Sequence, residues 1–255
     1  SDLVKPGMST KKTPARVVNA RLIAHRGAPL LAPENTLPSF QAAVEHGATW
    51  IEVDVKLTKD RHPVIIHDDS VDRTTNGKGY VANLTLDEIR SLEAGVCYGH
   101  LFRGVKVPTL AETVAFVLDK GVGLQLEIKP TSGQEVETAE IAIAQLKSLW
   151  PADEKKLFIS SFSEISLQVA AQLMPDVPRG LAVCVPPKDP EALLARTGCQ
   201  ILHFLGDFAT DEDLTRLARS GIEFAIATIN DPVLARKYID AGAQTVLSDI
   251  PDLAF

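Results

Sequence analysis

Short apolar segments rich in β-forming residues recur along the chain, and stretches with helical periodicity separate most of them. The apolar segments are RLIAHRG (21–27), WIEVDV (50–55), GLQLEIK (123–129), KLFISSF (156–162), RGLAVCV (179–185), QILHFLG (200–206), EFAIATI (223–229) and TVLSD (245–249). Helices are predicted over 36–46, 110–120, 136–149, 164–173, 190–196, 211–220 and 232–241. This alternation predicts a parallel sheet with right-handed crossovers. Eight such strands favour a closed (β/α)8 TIM barrel over an open doubly wound sheet.

The alternation also suggests the domain organisation. We expect one α/β barrel domain over residues 21–255, a flexible tail over residues 1–20, and a small insertion over about 56–108, between the second strand and the second helix. Neither G-x-G-x-x-G nor GxxxxGK[ST] follows any predicted strand. Their absence weakens the dinucleotide-binding and P-loop alternatives.

A hairpin is predicted where the alternation breaks, because KLTKDRH leads from the second strand into another apolar run, PVIIHDD. If Asp60–Arg61 is a two-residue turn, Asp54 faces His67 and Glu52 faces Asp69. Cross-strand partners of this kind approach to about 4.5–5.5 Å at Cβ. Asp-Arg is not a preferred hairpin dipeptide, so a longer loop with a shifted register is the alternative. In either register, ionisable groups collect at the strand end where barrels carry their chemistry.

Ionisable residues also end the first and third predicted strands. The segment AHRG brings His25 and Arg26 to the same barrel mouth, with Gly27 beside them. A histidine in that position also fits a buried residue bonded to a carbonyl. In LEIKP, Glu127 and Lys129 are two residues apart and therefore share one face of the strand.

Composition narrows the classes of partner. The net charge is 26 − 33 = −7, which argues against a nucleic-acid surface and against stable binding to acidic membranes. Cys97, Cys184 and Cys199 form no CxxC or Cys/His spacing, so we expect reduced cysteines in a cytoplasmic protein and no structural zinc. No apolar window approaches the ~18 residues of a membrane span, and no signal peptide is predicted.

The predicted mouth contains three acids, Glu52, Asp54 and Glu127. It also contains two histidines, His25 and His67, and two cations, Arg26 and Lys129. Hard carboxylate ligands without cysteine suit one divalent cation, Mg²⁺ or Ca²⁺. Three carboxylates in one cavity also need such a cation to remain ionised. Two histidines can supply an acid and a base, and the cationic pair suits the oxygens of a phosphate diester. Phosphoryl transfer is therefore favoured over sugar isomerisation or aldol chemistry, although a lysine at a barrel mouth can form Schiff bases.

The segment AHRGAPLLAPENTLPSFQAAVEHGATWIEVDVKLTKDRHPVIIHDDSVDRTTNGKG (24–79) resembles the N-terminal signature of the glycerophosphodiester phosphodiesterase family. VPTLAETV, LEIKP, ISSF and LSDIPD resemble later segments of the same family, so the resemblance runs from Leu22 to Asp252. The order HRG, PENT, ExD, HD, DRTTNG and ExK makes the resemblance specific.

The resemblance implies a TIM barrel and a divalent-metal-dependent hydrolase of lipid and glycerol metabolism. It would cleave small-molecule glycerophosphodiesters to sn-glycerol 3-phosphate and an alcohol. Carried over by position, the metal ligands are Glu52, Asp54 and Glu127, the acid–base pair is His25 and His67, and the phosphate-binding residues are Arg26 and Lys129. Which histidine is the acid, and whether water or a substrate hydroxyl attacks, stay open.

One position differs from the usual family sequence, and several others have more than one interpretation. Ala227 stands where the seventh-strand motif of the family commonly has tryptophan, which changes the expected pocket shape. Phe162 or Phe204 could fill that space, although both also fit ordinary packing. Glu34 and Asn35 are expected to brace the first loop, and Asn35 also fits a helix N-cap.

Three activities remain possible at this point. They are hydrolysis of glycerophosphodiesters, headgroup binding without turnover, and a lysophospholipase D type of activity on longer lipids. The third activity requires an apolar rim at the mouth, for which Leu30–Leu31 and Leu101–Phe102 are the candidates. The sequence identifies no partner for His62 or His203.

Overall fold

A computed structural model describes residues 15–255 of the chain. The strands are β1 (Leu22–His25), β2 (Trp50–Leu57), β3 (Pro63–Ile65), β4 (Gly123–Ile128), β5 (Leu157–Ser161), β6 (Arg179–Val183), β7 (Ile201–Leu205), β8 (Glu223–Ala227) and β9 (Thr245–Ser248). The helices are α1 (Leu37–Glu45), α2 (Leu86–Arg90), α3 (Leu110–Lys120), α4 (Glu135–Leu149), α5 (Glu164–Leu173), α6 (Pro190–Thr197), α7 (Asp211–Ser220) and α8 (Pro232–Asp240).

The parallel strands close into a barrel. Their order is β1-β9-β8-β7-β6-β5-β4-β2, and β1 also pairs with β2, which joins the two ends of the sheet. An open sheet would leave β1 with one neighbour. The predicted TIM barrel is therefore confirmed, and the antiparallel β3 lies outside the ring as an extension of β2.

The helix boundaries follow local capping chemistry. Thr109 accepts a hydrogen bond from the Glu112 amide at the start of α3, and Gly121 ends that helix in the left-handed conformation. The same pattern of threonine cap and terminal glycine bounds α7. Because these signals are local, α3, α5 and α7 begin and end as predicted, and the other predicted helices agree within one residue at each end.

Alternation along the strands divides the barrel into two sets of side chains. One face packs against the helices and forms the large apolar core, for example Ile51 and Val53 of β2. The other face points inward and is apolar at the amino-terminal ends of the strands, where Trp50 packs near Phe158. Gly123 leaves room there, since a Cβ atom would lie 2.4 Å from the Trp50 ring. Further along the strands the inward positions become polar, which directs the chemistry to their carboxyl ends.

The hairpin register differs from the predicted one. Val55 pairs with Ile65 and Leu57 pairs with Pro63, so the ladder is shifted by one residue. The turn contains three residues, 59–61, and Arg61 has φ 65°, as expected for a turn that ends in a left-handed residue. Asp54 therefore lies opposite Ile66, whose amide donates to the Asp54 carbonyl at 3.0 Å. The alternative of a longer loop is the correct one.

The segment between β3 and α3 has a small apolar core of its own. Seven buried residues form it, which are Val64, Ile66, Val71, Val81, Ile89, Ala94 and Val107. The isolated bridge between Val64 and Thr109 attaches this segment to the start of α3. The small core fixes the position of the chain that carries His67.

Residues just before β1 already pack against the barrel. The amides of Val17 and Val18 donate to the Glu223 carboxylate at 2.6 and 3.0 Å, and Val18 is fully buried. Residues 1–14 of the predicted flexible tail lie outside the described residues. Between residues 15 and 255, no helix combines the length and apolar character that crossing a membrane requires.

Candidate active site

Three carboxylates meet inside the barrel mouth. Glu52 and Asp54 lie two residues apart on β2, and Asp54 is the direct neighbour of Glu127 on β4. Each offers an oxygen within 4.8 Å of the others. Glu52 and Asp54 are buried, and Glu127 is partly buried. The structure thus brings together the three acids that the sequence identified.

These acids cannot all be ionised at low cost in the absence of a cation. Burial, and then the neighbouring Asp54 carboxylate, raise the pKa of Glu52 and of Glu127 well above the ordinary glutamate value. Burial also opposes ionisation of Asp54, but Arg26 and His67 hold the pKa of Asp54 below its ordinary value. Asp54 Oδ1 is buried and has no hydrogen-bond partner among the described residues. An all-oxygen donor set with an unsatisfied buried oxygen fits a divalent cation.

The loop after β1 is built around the same acids. The Arg26 amide donates to the Glu52 side chain at 3.2 Å, and Asn35 Nδ2 donates to Asp54 Oδ2 at 3.0 Å. Asn35 has φ 55° and precedes the residue that caps α1, so the N-cap alternative for Asn35 is wrong and Thr36 occupies that position. Gly27 is required in this loop, because its φ is 87° and a Cβ atom would lie 2.5 Å from Ser39 Oγ.

The Arg26 side chain is held between acidic groups. Its Nη1 donates to Glu34 at 2.9 Å, and its Nε lies 3.5 Å from Asp54. Glu34 also accepts from Arg73 at 2.6 Å, so it bridges the first loop to the segment after β3. The bracing role expected of Glu34 and Asn35 agrees with these contacts. Arg73 was not identified from the sequence, although it belongs to the DRTTNG motif.

His25 ends β1 and contacts a carboxylate across the barrel mouth. Its Nδ1 lies 2.8 Å from Oδ1 of Asp249, and Asn230 Nδ2 donates to Oδ2 of the same residue at 2.9 Å. Burial opposes ionisation of Asp249, but the bonds from His25 and Asn230 lower its pKa. Asp249 therefore remains ionised, orients the imidazole and leaves Nε2 unprotonated while the histidine is neutral.

His67 has an equivalent partner next to it in sequence. Its Nδ1 lies 2.8 Å from Asp68 Oδ1, and Arg73 binds both oxygens of Asp68 at 2.8 and 2.9 Å. Burial is the main cause that lowers the pKa of His67, and the nearby Asp54 partly offsets it. The hydrogen bonds from Arg73 are the main cause that holds the pKa of Asp68 far below its ordinary value.

Two lysines occupy the side of the mouth near His67. Lys129 lies with its Nζ 5.6 Å from the centre of the Phe162 ring. Lys56 is 1% exposed, and its Nζ donates to Asp69 at 2.7 Å and to the Lys129 carbonyl at 2.8 Å. Asp69 therefore pairs with Lys56, not with the predicted partner Glu52. Lys56 continues the i, i+2 series of the acids on β2, and that spacing could have identified it.

Two spaces adjoin these residues. A cavity of about 260 Å³, here called the inner cavity, is lined by the three acids, both histidines, Arg26 and Lys129. A more open groove of about 770 Å³, here called the outer groove, is lined by Lys56, His67, Asp69, Lys129 and Phe162. His67, Lys129 and Phe162 line both spaces, whereas His25 lines the inner cavity. Ala227 and Phe204 also line the inner cavity, and Phe204 is stacked on Phe224.

The floor of the inner cavity contains polar residues that the sequence did not identify. Gln125 and His203 point inward from β4 and β7, and they are 1% and 5% exposed. Gln125 precedes Glu127 by two residues, which is the one signal for its inward direction. His203 had no such signal, because only barrel closure brings β7 opposite β4.

The fold and the site first define a class, a TIM-barrel enzyme with an acidic cluster suited to a divalent cation and two carboxylate-paired histidines. Comparison with known proteins makes the identification specific. Residues 25–253 match the model of the Glycerophosphoryl diester phosphodiesterase family, and the chain belongs to this family. The family name denotes a phosphoric diester hydrolase.

Relatives agree with this assignment. A glycerophosphodiester phosphodiesterase of Caldanaerobacter subterraneus subsp. tengcongensis is 35% identical over 231 residues, covering 91% of this chain and 94% of the relative. A glycerophosphodiester phosphodiesterase of Bacillus subtilis is 32% identical, covering 91% of this chain and 84% of the relative. The structure of an Oleispira antarctica phosphodiesterase in complex with the product sn-glycerol-3-phosphate has a TM-score of 0.87 and 37% identity. It covers 91% of this chain and 94% of that one.

Proposed function

We propose that this protein hydrolyses glycerophosphodiesters to sn-glycerol 3-phosphate and an alcohol, with one divalent cation, Mg²⁺ or Ca²⁺. The observation that carries the proposal is the convergence of Glu52, Asp54 and Glu127 within 4.8 Å beside two histidines and an arginine. The product bound to the Oleispira antarctica relative supports the choice of substrate class. The composition supports a cytoplasmic location and a small-molecule substrate.

The three carboxylates would hold the cation. When bound, it supplies Lewis-acid stabilisation of the phosphoryl oxygens. The chain itself contributes Arg26, which is fixed by Glu34 and Asp54 and stays protonated, because these carboxylates outweigh the effect of burial on its pKa. Lys129 at the junction of the two spaces is a second cation for the phosphate. Both side chains stabilise negative charge as it develops in the transition state.

The two histidines differ in location, and we assign their roles from that difference. His25 lines the inner cavity and is oriented by Asp249, so it accepts the proton of the attacking hydroxyl at Nε2. His67 lines both the inner cavity and the outer groove, so it lies where a leaving alcohol would depart. It donates the proton to that alcohol. The hydroxyl that His25 deprotonates belongs either to water or to the neighbouring carbon of the substrate.

The direct test is release of glycerol 3-phosphate from glycerophosphocholine, measured with a coupled dehydrogenase assay. Activity should require Mg²⁺ or Ca²⁺ and should be abolished by EDTA. A headgroup binder would show saturable binding of the diester without turnover in any metal. A panel of headgroups in both metals then defines the preferred alcohol and the preferred cation.

A longer lipid is a second candidate substrate, because apolar side chains are exposed near the mouth. Leu30 is 64% exposed and Leu101 is 92% exposed. The Tyr98 hydroxyl donates to the Pro29 carbonyl at 2.6 Å, which brings their two loops together. Choline release from lysophosphatidylcholine tests this activity. Leu101→Ser should reduce turnover of the lysolipid and leave turnover of glycerophosphocholine unchanged.

A further inference from the structure

The inner cavity has a polar floor one layer below the acids. Gln125 lies two residues before Glu127 on the inward face of β4, and His203 reaches the same position from β7. Gln125 Nε2 is 2.9 Å from Ser160 Oγ and 3.3 Å from His203 Nδ1. All three side chains are at least nine-tenths buried. The three groups form one connected network inside the barrel.

Two polar atoms of this network have no partner within the described part of the chain. They are Gln125 Oε1 and His203 Nε2, and both atoms are buried. A buried polar atom without a hydrogen bond is unfavourable, because the water it loses on burial is not replaced by another partner. Since both residues line the inner cavity, a molecule in that cavity can satisfy both atoms.

The hydrogen-bonding capacity that remains is the same for either orientation of the Gln125 amide. When the amide nitrogen donates to Ser160 and to His203 Nδ1, the free atoms are a carbonyl acceptor and a protonated Nε2 donor. When the amide is reversed, the free atoms are an amide donor and an unprotonated Nε2 acceptor. In both cases the floor offers one donor and one acceptor side by side. A hydroxyl group, which donates once and accepts, matches this pair.

The imidazole of His203 is neutral, as both hydrogen-bonding arrangements of the floor require. Burial lowers the pKa of His203 to about 4. Its ring packs edge-on against Phe158 with the centroids 5.6 Å apart, in the apolar lower part of the barrel. These surroundings disfavour an imidazolium ion and therefore disfavour a second phosphate-binding cation at this position.

The size of the two spaces indicates which part of a diester reaches the floor. The inner cavity measures about 260 Å³ and the outer groove about 770 Å³. A glycerophosphodiester has one small constant part, the glycerol, and one variable part, the alcohol. The small cavity with a fixed donor–acceptor pair suits the constant part. Ala227 contributes a small side chain to the wall of this cavity.

We propose that Gln125 and His203 form a hydroxyl-binding site for the glycerol moiety, which therefore points into the barrel while the leaving alcohol occupies the outer groove. This proposal rests on the proposed function and adds the orientation of the substrate and two specificity-determining residues. Ser160 holds the Gln125 amide in place and contacts no substrate atom.

Binding measurements with the product and its deoxy analogues test the site. The probes are sn-glycerol 3-phosphate, 3-hydroxypropyl phosphate and 2-hydroxypropyl phosphate, titrated by calorimetry into the Mg²⁺-loaded protein. The wild type should bind at least one analogue about ten- to a hundredfold more weakly than the product, because loss of a hydroxyl leaves buried polar atoms unpaired. In Gln125→Leu, discrimination against that analogue should fall below about threefold. Gln41→Leu on the surface of α1 is the matched control and should keep the wild-type ratios.

Three outcomes overturn the proposal. The wild type binds both analogues as tightly as the product, or Gln125→Leu keeps the full discrimination, or it weakens all three ligands equally. If circular dichroism shows that Gln125→Leu is unfolded, His203→Asn is measured in its place and is held to the same criterion. Turnover is assayed separately. A protein that discriminates among the probes but cleaves no diester contradicts the proposed function and leaves the hydroxyl site supported, whereas normal turnover without discrimination contradicts the hydroxyl site alone.

Discussion

His25 Nδ1 lies 2.8 Å from Asp249 Oδ1, although the two residues are 224 positions apart in the sequence. The contact joins the end of the first barrel strand to the residue that follows the last one. It holds the ring of His25 through Nδ1 at the wall of the inner cavity, and in the proposed function Nε2 is the base. We therefore expect that the reaction depends on Asp249, although this residue is not among those that line the inner cavity.

Replacing Asp249 by asparagine should lower kcat about 10²-fold, within the range of general acid–base contributions. The amide can donate to Nδ1 and so shift the proton to Nε2, where it blocks the base. The measurement is kcat as a function of pH for glycerophosphocholine. Asp252→Asn is the matched control, because Asp252 makes the same kind of contact to the exposed His46. An Asp249→Asn variant with the kcat and pH profile of the wild type would show that His25 needs no carboxylate partner.

The assignment of His67 as the acid predicts a dependence on the leaving group. His67→Ala should lower turnover of glycerophosphocholine about 10²–10⁴-fold, because an alkoxide leaves poorly without a proton. With a glycerophosphodiester of p-nitrophenol, whose anion leaves without protonation, the loss should be at least tenfold smaller. His25→Ala should reduce turnover of both substrates to a similar extent. Equal losses for both substrates in His67→Ala would exclude the acid role.

The acid cluster predicts opposite effects of one substitution on stability and on metal binding. Since burial and the neighbouring carboxylates raise the pKa of Glu52, its ionised form destabilises the metal-free protein at neutral pH. Glu52→Gln should therefore increase the unfolding free energy measured without metal, because a neutral amide replaces a carboxyl group whose ionisation the site disfavours.

The same variant should lose most of the stabilisation by Mg²⁺ or Ca²⁺. A ligand at a hundredfold its Kd stabilises a folded protein by about 2.7 kcal/mol. Urea unfolding with and without metal measures both effects, with Glu45→Gln on the surface of α1 as the control. A destabilised metal-free Glu52→Gln variant with undiminished metal stabilisation would contradict both expectations.

His203 predicts a loss of stability in mild acid. Its folded-state pKa of about 4 lies below the ordinary value of 6.5, so the unfolded chain binds more protons between these values. The stabilisation is present above pH 6.5 and is lost as the pH falls from 6.5 towards 4. Between pH 7 and pH 5 the contribution is about 2 kcal/mol, from about 1.36 kcal/mol per pKa unit.

Urea unfolding at pH 7 and pH 5 isolates this effect. His203→Asn should be less sensitive to pH than the wild type by that amount, although its stability at pH 7 is lower. His100→Asn, at an exposed position, should behave as the wild type does. If His203→Asn and the wild type lose the same free energy between the two pH values, His203 is not a buried neutral imidazole.

Local sequence signals predicted the order of strands and helices and most of their boundaries. They succeeded where a cap, a glycine or an apolar run determines the conformation, as at Thr109 and Gly121. The predicted register of the hairpin was wrong because the turn has three residues and not two. This difference depends on Arg61, which has the left-handed conformation. A single residue in a turn moves every cross-strand pair by one position.

The acids of the site were predictable for a related reason. Glu52 and Asp54 alternate along one strand, so strand periodicity places them on the same face. The pairing of β2 with β4 in the folded barrel then makes Glu127 the neighbour of Asp54. Lys56 follows the same periodicity. Its buried contact with Asp69 depends on the bend after β3, which no pattern in the chain specifies.

The sequence by itself therefore determined the alternation of elements, the inward face of each strand and the chemical character of the mouth, because these depend on short-range periodicity. Tertiary structure decided which side chains of the site bind one another. The contacts of His25 with Asp249 and of Gln125 with His203 join parts of the chain that meet only when the barrel closes. Closure also buries the floor, so Gln125 Oε1 and His203 Nε2 become buried polar atoms with no hydrogen-bond partner among residues 15–255.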